Sequence, residues 1–170
     1  LIRPIGEWVL AESCRQSGLW RKELGGRSSG VTLSVNLSVK QFLQADLFER
    51  IERILDRTGM PPRLLHLEIT ESAVMEDPEQ ARGVLSRLKS LGLLLSLDDF
   101  GTGFSSLSYL TRLPLDILKI DRSVVMRLGH DARTEAVVRA VCDLSRDLGM
   151  EVIAEGVETQ QQLDALRSFD

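Results

Sequence analysis

Asp98 and Asp99 stand side by side at the end of a short leucine-rich run, Leu93-Leu94-Leu95-Ser96-Leu97, and are followed by Phe100-Gly101-Thr102-Gly103. A short aliphatic run bounded by turn residues reads as a buried strand. Two carboxylates at its end are costly to bury unless a cation or hydrogen-bond donors meet them. Adjacent carboxylates can serve two hard metal ions. Matching groups occur at Asn36, Glu68, Lys119 and Glu155, each at the end of a predicted strand. Apart from the Lys119 amine these groups offer oxygens as ligands, and no Cys or His sits at metal spacing, which favours Mg²⁺ or Mn²⁺ over zinc. Two such ions suit hydrolysis of a phosphate ester, where they activate a water and neutralise developing charge.

The elements that must position these groups follow from period and punctuation. Pro4 suits a first helical turn, and Ile5, Trp8, Val9 and Glu12 begin an amphipathic helix that runs to about Leu24. A glycine- and serine-rich loop is expected at 25–30. Residues 31–36 alternate, with Val31, Leu33 and Val35 on one face and Thr32, Ser34 and Asn36 on the other, which is a strand pattern. Ser38 and Gln41 form a capping-box pair. Phe42, Leu43, Leu47, Ile51, Ile54 and Leu55 then give one helical face. Residues 64–70 alternate again, placing His66, Glu68 and Thr70 together. Asp77-Pro78 opens a helix that Gly92 closes. After the Asp98-Asp99 strand, Ser105-Ser106 can start a short helix, and 116–121 is a short strand. A helix over 131–148 is expected to turn Val137, Val141, Leu144 and Leu148 inward, before a strand at 151–156 and a last helix capped by Thr159 and Gln162.

The order is a helix followed by five strand–helix units without hairpins, which implies a parallel sheet covered by helices. Asn36, Glu68, Asp98, Lys119 and Glu155 follow one another at intervals of 32, 30, 21 and 36 residues. A (β/α)8 barrel averages about 30 residues per unit. The 170-residue chain is too short to close eight strands, so the expectation is a single incomplete TIM-barrel-like α/β domain with about five of its eight strands. Two strands are expected to precede Leu1 and one to follow Asp170. The polar strand ends share one parity, and Thr32, Ser34, His66 and Ser96 continue that face backwards. In a parallel barrel the C-terminal strand ends form the catalytic rim. Five units bringing acids, an amide and an amine to one rim exceed what a packed core requires.

Bulk properties narrow the classes. A net charge of −4 disfavours binding to a DNA or RNA polymer or to an anionic membrane, while leaving room for a small anion held through metal. Two distant thiols, Cys14 and Cys142, form neither a metal motif nor a disulfide framework and point to a reducing compartment. No apolar run is long enough to span a membrane. Asp99-Phe100-Gly101 has the letters of a protein-kinase motif, but this chain holds neither an HRD-type catalytic loop nor a Gly-rich hairpin with its lysine. A Schiff-base role for Lys119 is disfavoured by neighbouring carboxylates, which keep the amine charged.

Taken together, Ser34-Val35-Asn36, Glu68-Ile69-Thr70-Glu71-Ser72, Asp98-Asp99-Phe100-Gly101-Thr102-Gly103, Lys119-Ile120-Asp121 and Ala154-Glu155-Gly156-Val157-Glu158 resemble the motifs of EAL domains, in the family's order. These are bacterial phosphodiesterase domains with a modified TIM barrel that hydrolyse cyclic di-GMP to linear pGpG. The resemblance implies that Asn36, Glu68, Asp98 and Asp99 ligate Mg²⁺ or Mn²⁺, with the aspartate pair serving two ions. It implies that Lys119 holds or polarises the attacking water, and that Glu155 is a further metal ligand or the general base. Glu71 is expected to pin the loop 100–105, with Thr70, Ser105, Asp121 and Glu158 in support. It further implies a homodimer, a cytoplasmic location or the cytoplasmic part of a membrane-anchored sensor, and covalently linked GGDEF, PAS or receiver domains. The Glu-Ala-Leu motif that names the family does not occur in this chain. In the family its glutamate is a metal ligand, so the resemblance also admits a cyclic di-GMP receptor or a dimerisation module without catalysis.

Overall fold

The computed structural model describes residues 2–25, 31–102 and 110–169. Among them, five strands form one parallel sheet in sequential order: β1 (Leu33–Leu37), β2 (Leu65–Thr70), β3 (Leu94–Phe100), β4 (Ile117–Ile120) and β5 (Glu151–Ala154). Among the described residues, helices separate β1 from β2, β2 from β3 and β4 from β5, and neighbouring strands are joined in register: Val35 lies beside Leu67, Leu67 beside Leu95, and Leu97 beside Leu118. These residues all point to one side, where they are buried with Leu37, Leu65, Ile69 and Ile120. Successive side chains alternate between faces, so the same strands turn Glu68, Ser96, Asp98 and Lys119 to the other side.

Helices cover the apolar face. α1 (Ile2–Leu24) lies against β1 and packs through Leu10, Cys14 and Ser17. Ile5, Trp8 and Val9, which open the amphipathic pattern in the sequence, are exposed in these residues. The single helix expected after Ser38 is two: α2 (Val39–Phe42) and α3 (Leu47–Thr58), with Phe42, Leu47, Ile51, Ile54 and Leu55 still buried. In the capping box the Gln41 side-chain oxygen accepts from Ser38 N at 3.3 Å and from Ser38 Oγ at 2.6 Å. After β2 comes α4 (Glu71–Glu76), a short helix without apolar periodicity of its own, and then α5 (Pro78–Ser90). The Asp77 carboxylate caps α5 by accepting from Gln80 N at 3.0 Å. After β4, α6 (Arg122–Val125) is too short to signal itself in the sequence.

α7 (Ala132–Asp147) corrects the inward face expected for it. Val141 is buried and Leu144 packs against the core as expected, but Val138 and Ser145 are buried where Val137 and Leu148 are exposed, so part of the packed stripe is displaced by one residue. α8 (Gln160–Arg167) has the expected Thr159–Gln162 capping box. The loop expected at 25–30 falls mostly outside the described residues, as does the helix expected from Ser105. No helix among the described residues is long and apolar enough to cross a membrane.

Cys14 illustrates how tightly α1 seats. Burial pushes its thiol from an ordinary 9.0 up to about 11. Because the folded pKa lies above the unfolded one, its contribution to stability is complete below pH 9 and is lost as pH rises through 11. A two-unit shift corresponds to about 3 kcal/mol. In alkaline denaturant titrations, Cys14→Ala is therefore expected to lose less stability between pH 8.5 and 11 than the parent. Equal losses would show that Cys14 is not desolvated.

Candidate active site at the carboxyl ends of the strands

The chemistry-bearing side chains meet on the face opposite the apolar core. Lys119 Nζ lies 3.1 Å from Glu68 Oε2, 3.1 Å from Asp98 Oδ1 and 2.6 Å from Glu155 Oε1. Glu68, Asp98 and Lys119 are buried, whereas the Glu155 side chain is 37% exposed. Burial alone opposes the ammonium, but its interactions with the accepting carboxylates of Glu155, Asp98 and Glu68 outweigh it, and the pKa of Lys119 lies above the ordinary lysine range. Lys119 is therefore an ammonium at any physiological pH. Removing one partner of such a buried set costs about 3–5 kcal/mol, because charge is left uncompensated.

A local break in the sheet brings the second aspartate to the site. β3 and β4 run in register at Leu97 and Leu118, and again at Phe100 and Ile120. Asp98 and Asp99 are thus two residues set against one, Lys119, which is a β-bulge. The extra residue places Phe100 on the buried apolar side with Leu97, so Asp99 is not driven into the core. Asp99 has φ 58°, a left-handed conformation that Asp tolerates better than most residues. Its carboxyl pKa is raised by desolvation and by Asp98, Asp121 and Glu155, with Lys119 partly opposing them.

The supporting residues divide. Glu71 is buried at the start of α4, and its Oε2 accepts from Gly101 N at 3.2 Å, which ties down the turn after the bulge. Gly101 has φ 96°, and a Cβ there would meet Val124 at 2.9 Å, so this turn requires glycine. Thr70 pairs in register with Asp98 and precedes α4, without a side-chain cap bond. Asp121 is the N-cap of α6, accepting from Ser123 N at 2.8 Å, and reaches the site only through space. Glu158 pairs with exposed Arg122 at 2.7 Å. Arg122 was not singled out in the sequence, although it follows Lys119-Ile120-Asp121 directly. It also packs over Gly156, where a Cβ would meet its Cγ at 2.5 Å. Asn36 is exposed beside Glu68 in the sheet register. Ser105 lies outside the described residues.

Among the described residues, no group of three or more Asp, Glu, His or Cys stands as a ready metal cage. Three of the carboxylates gather instead on the Lys119 ammonium. An apolar groove of about 230 Å³ runs behind the site, lined by Phe100, Gly101, Val124, Arg127, Val137 and Val141, and none of the candidate acids borders it.

A parallel sheet covered by helices, with acidic side chains gathered at its carboxyl ends, has the arrangement of a TIM-barrel-like α/β domain. The EAL domain profile matches residues 1–170, and the chain belongs to the EAL domain family. It is 45% identical over 98% of its length to the bifunctional diguanylate cyclase/cyclic di-GMP phosphodiesterase MucR of Pseudomonas aeruginosa. It is 40% identical over 98% of its length to the cyclic di-GMP phosphodiesterase NbdA of the same organism. The chain spans 24% and 21% of those two proteins. The solved PaMucR phosphodiesterase, a complex with c-di-GMP, superposes with a TM-score of 0.91 at 44% identity, covering 99% of this chain and 67% of that one.

The raised pKa of Asp99 makes its ionised form a liability when no cation faces it, and that liability grows as pH rises through its titration. Asp99→Asn keeps the shape and favours the same backbone conformation. In EDTA at pH 7 the variant is expected to melt at a higher temperature than the parent, with the gap closing below pH 4. A lower melting temperature at pH 7 would contradict this account.

Proposed function

We propose that the domain hydrolyses one of the two phosphodiester bonds of cyclic di-GMP, giving linear pGpG, with Mg²⁺ or Mn²⁺ as cofactor and two ions at the aspartate pair. The observation that carries the reading is the convergence of Glu68, Asp98 and Glu155 on one cationic centre at the carboxyl end of the sheet, in a chain of the EAL family. EAL phosphodiesterases are generally dependent on divalent metal. The donor set here fits such ions: it consists of hard oxygens and already gathers around a positive charge. Asn36, Glu68, Asp98 and Asp99 would hold the metal, with Glu155 available to it. Bound there, the metal would neutralise charge on the phosphoryl oxygens and acidify the attacking water.

The protein's own groups supply the rest. Lys119, fixed as an ammonium, donates hydrogen bonds and cannot accept the proton of the attacking water. It is suited to orienting that water and to stabilising negative charge. Glu155 is the more solvent-accessible of its three acidic partners and is suited to taking the proton. The bulge and Glu71 hold the aspartate pair in place. Thr70, Asp121 and Glu158 shape the surrounding turns, and Ser105 belongs to the same supporting group. A cytoplasmic homodimer linked to GGDEF, PAS or receiver domains belongs to the same reading. The exposed Val137 on the outer groove supports the homodimer, and the cyclase half of MucR supports the GGDEF linkage.

The test is chromatographic detection of pGpG from cyclic di-GMP by the whole protein that carries this domain. Product is expected with Mg²⁺ or Mn²⁺ and none with EDTA, and Asp98→Asn should be slower by at least about 100-fold. Tight cyclic di-GMP binding by the parent without any product would replace hydrolysis with a receptor role.

A further inference from the structure

We infer that Lys119 is a built-in competitor of the divalent cation, whose displacement couples metal loading to capture of the attacking water. The inference rests on the metal-dependent reading of the site. An ammonium has three N–H donors, and three carboxylates lie around Lys119, at 3.1, 3.1 and 2.6 Å. The Glu68 contact is a hydrogen bond, and Asp98 and Glu155 crowd the same ammonium as ion pairs. The oxygens of Glu68 and Asp98 that face the ammonium are the same hard donors that a divalent cation would need. A metal cannot draw either carboxylate fully to itself without taking it from Lys119, and each one released uncovers part of the ammonium.

The charges agree with such an exchange. Glu68, Asp98 and Glu155 carry three negative charges against the single positive charge of Lys119. The lysine therefore holds the acids together without neutralising them. Asp99, a half-buried fourth acid, stands next to this excess. A divalent ion arriving there meets unbalanced negative charge and a monovalent rival. Glu155, the shortest of the three contacts and the most exposed partner, is the one suited to stay with the ammonium as Glu68 or Asp98 leaves. Lys119 then changes from the hub of a closed ion cluster to a water-orienting donor only when metal is present.

The test is calorimetric titration of Mn²⁺ alone into the whole protein, comparing parent, Lys119→Met and Lys119→Arg. Lys119→Met removes the rival and is expected to bind Mn²⁺ at least about tenfold more tightly than the parent. It should also melt at a lower temperature in EDTA and show a larger stabilisation by Mn²⁺. Lys119→Arg keeps the charge and adds donors, so its Mn²⁺ affinity should not exceed that of the parent. It also keeps the test open if Lys119→Met does not fold without metal. Equal or weaker Mn²⁺ binding by folded Lys119→Met, or tighter binding by Lys119→Arg, would overturn the competition while leaving the metal-dependent reading intact. Absence of Mn²⁺ binding in the parent and both variants would overturn the two together.

Discussion

A single ammonium set among three carboxylates is the constraint on which the functional face depends. Glu68 comes from β2, Asp98 from β3, Lys119 from β4, and Glu155 from just beyond β5. Without the lysine, like charges on adjacent strands would repel one another in a poorly hydrated space. With it, four consecutive units of the sheet are drawn to one point. The parallel register fixes their offset: Glu68 lies opposite Ser96, and Asp98, two residues further along β3, lies opposite Thr70, so the long Glu68 and Lys119 side chains close the gap.

The bulge in β3 resolves a conflict between chemistry and packing. Two adjacent acids in a regular strand must point to opposite faces, and one of them would enter the leucine-rich core. Placing Asp98 and Asp99 together against Lys119 lets Leu97 and Phe100 share the apolar side. The left-handed backbone at Asp99 costs about 1 kcal/mol. Full burial of Leu95 and Leu97 in the same strand returns about 1.5–3 kcal/mol each. The distortion sits next to the best-packed part of the sheet, and Glu71 and Gly101 confine it to one turn.

Period-2 alternation and spacing near 30 residues made the parallel sheet legible in the sequence, because each buried strand carries its own apolar face. The rim set Asn36, Glu68, Asp98, Lys119 and Glu155 was legible for the same reason, since one parity places all five on the side away from the helices. The bulge was not. It depends on the register of β4 against β3, and neither strand records that register locally. α4 and α6 were missed because each is a single turn or so, held by tertiary contacts and caps such as Asp121 rather than by apolar periodicity. The face of α7 was displaced because Val137 and Val138 are equally apolar neighbours, and only the sheet beneath decides which one it takes. Arg122 escaped notice because its partners, Glu158 and Gly156, are more than thirty residues away.

The two faces of the sheet are coupled through the same backbone. Leu118 and Ile120 are fully buried on either side of Lys119 in β4, as Leu67 and Ile69 are around Glu68 in β2. A residue whose neighbours are locked into close-packed surroundings has little freedom to shift its own Cα. The charged groups can therefore rearrange only through their side chains, and long side chains such as Lys and Glu have that freedom while the backbone does not. This is a division of labour between the two faces. Positions are set by apolar burial on one side, and partners can change on the other without moving the strands that carry them.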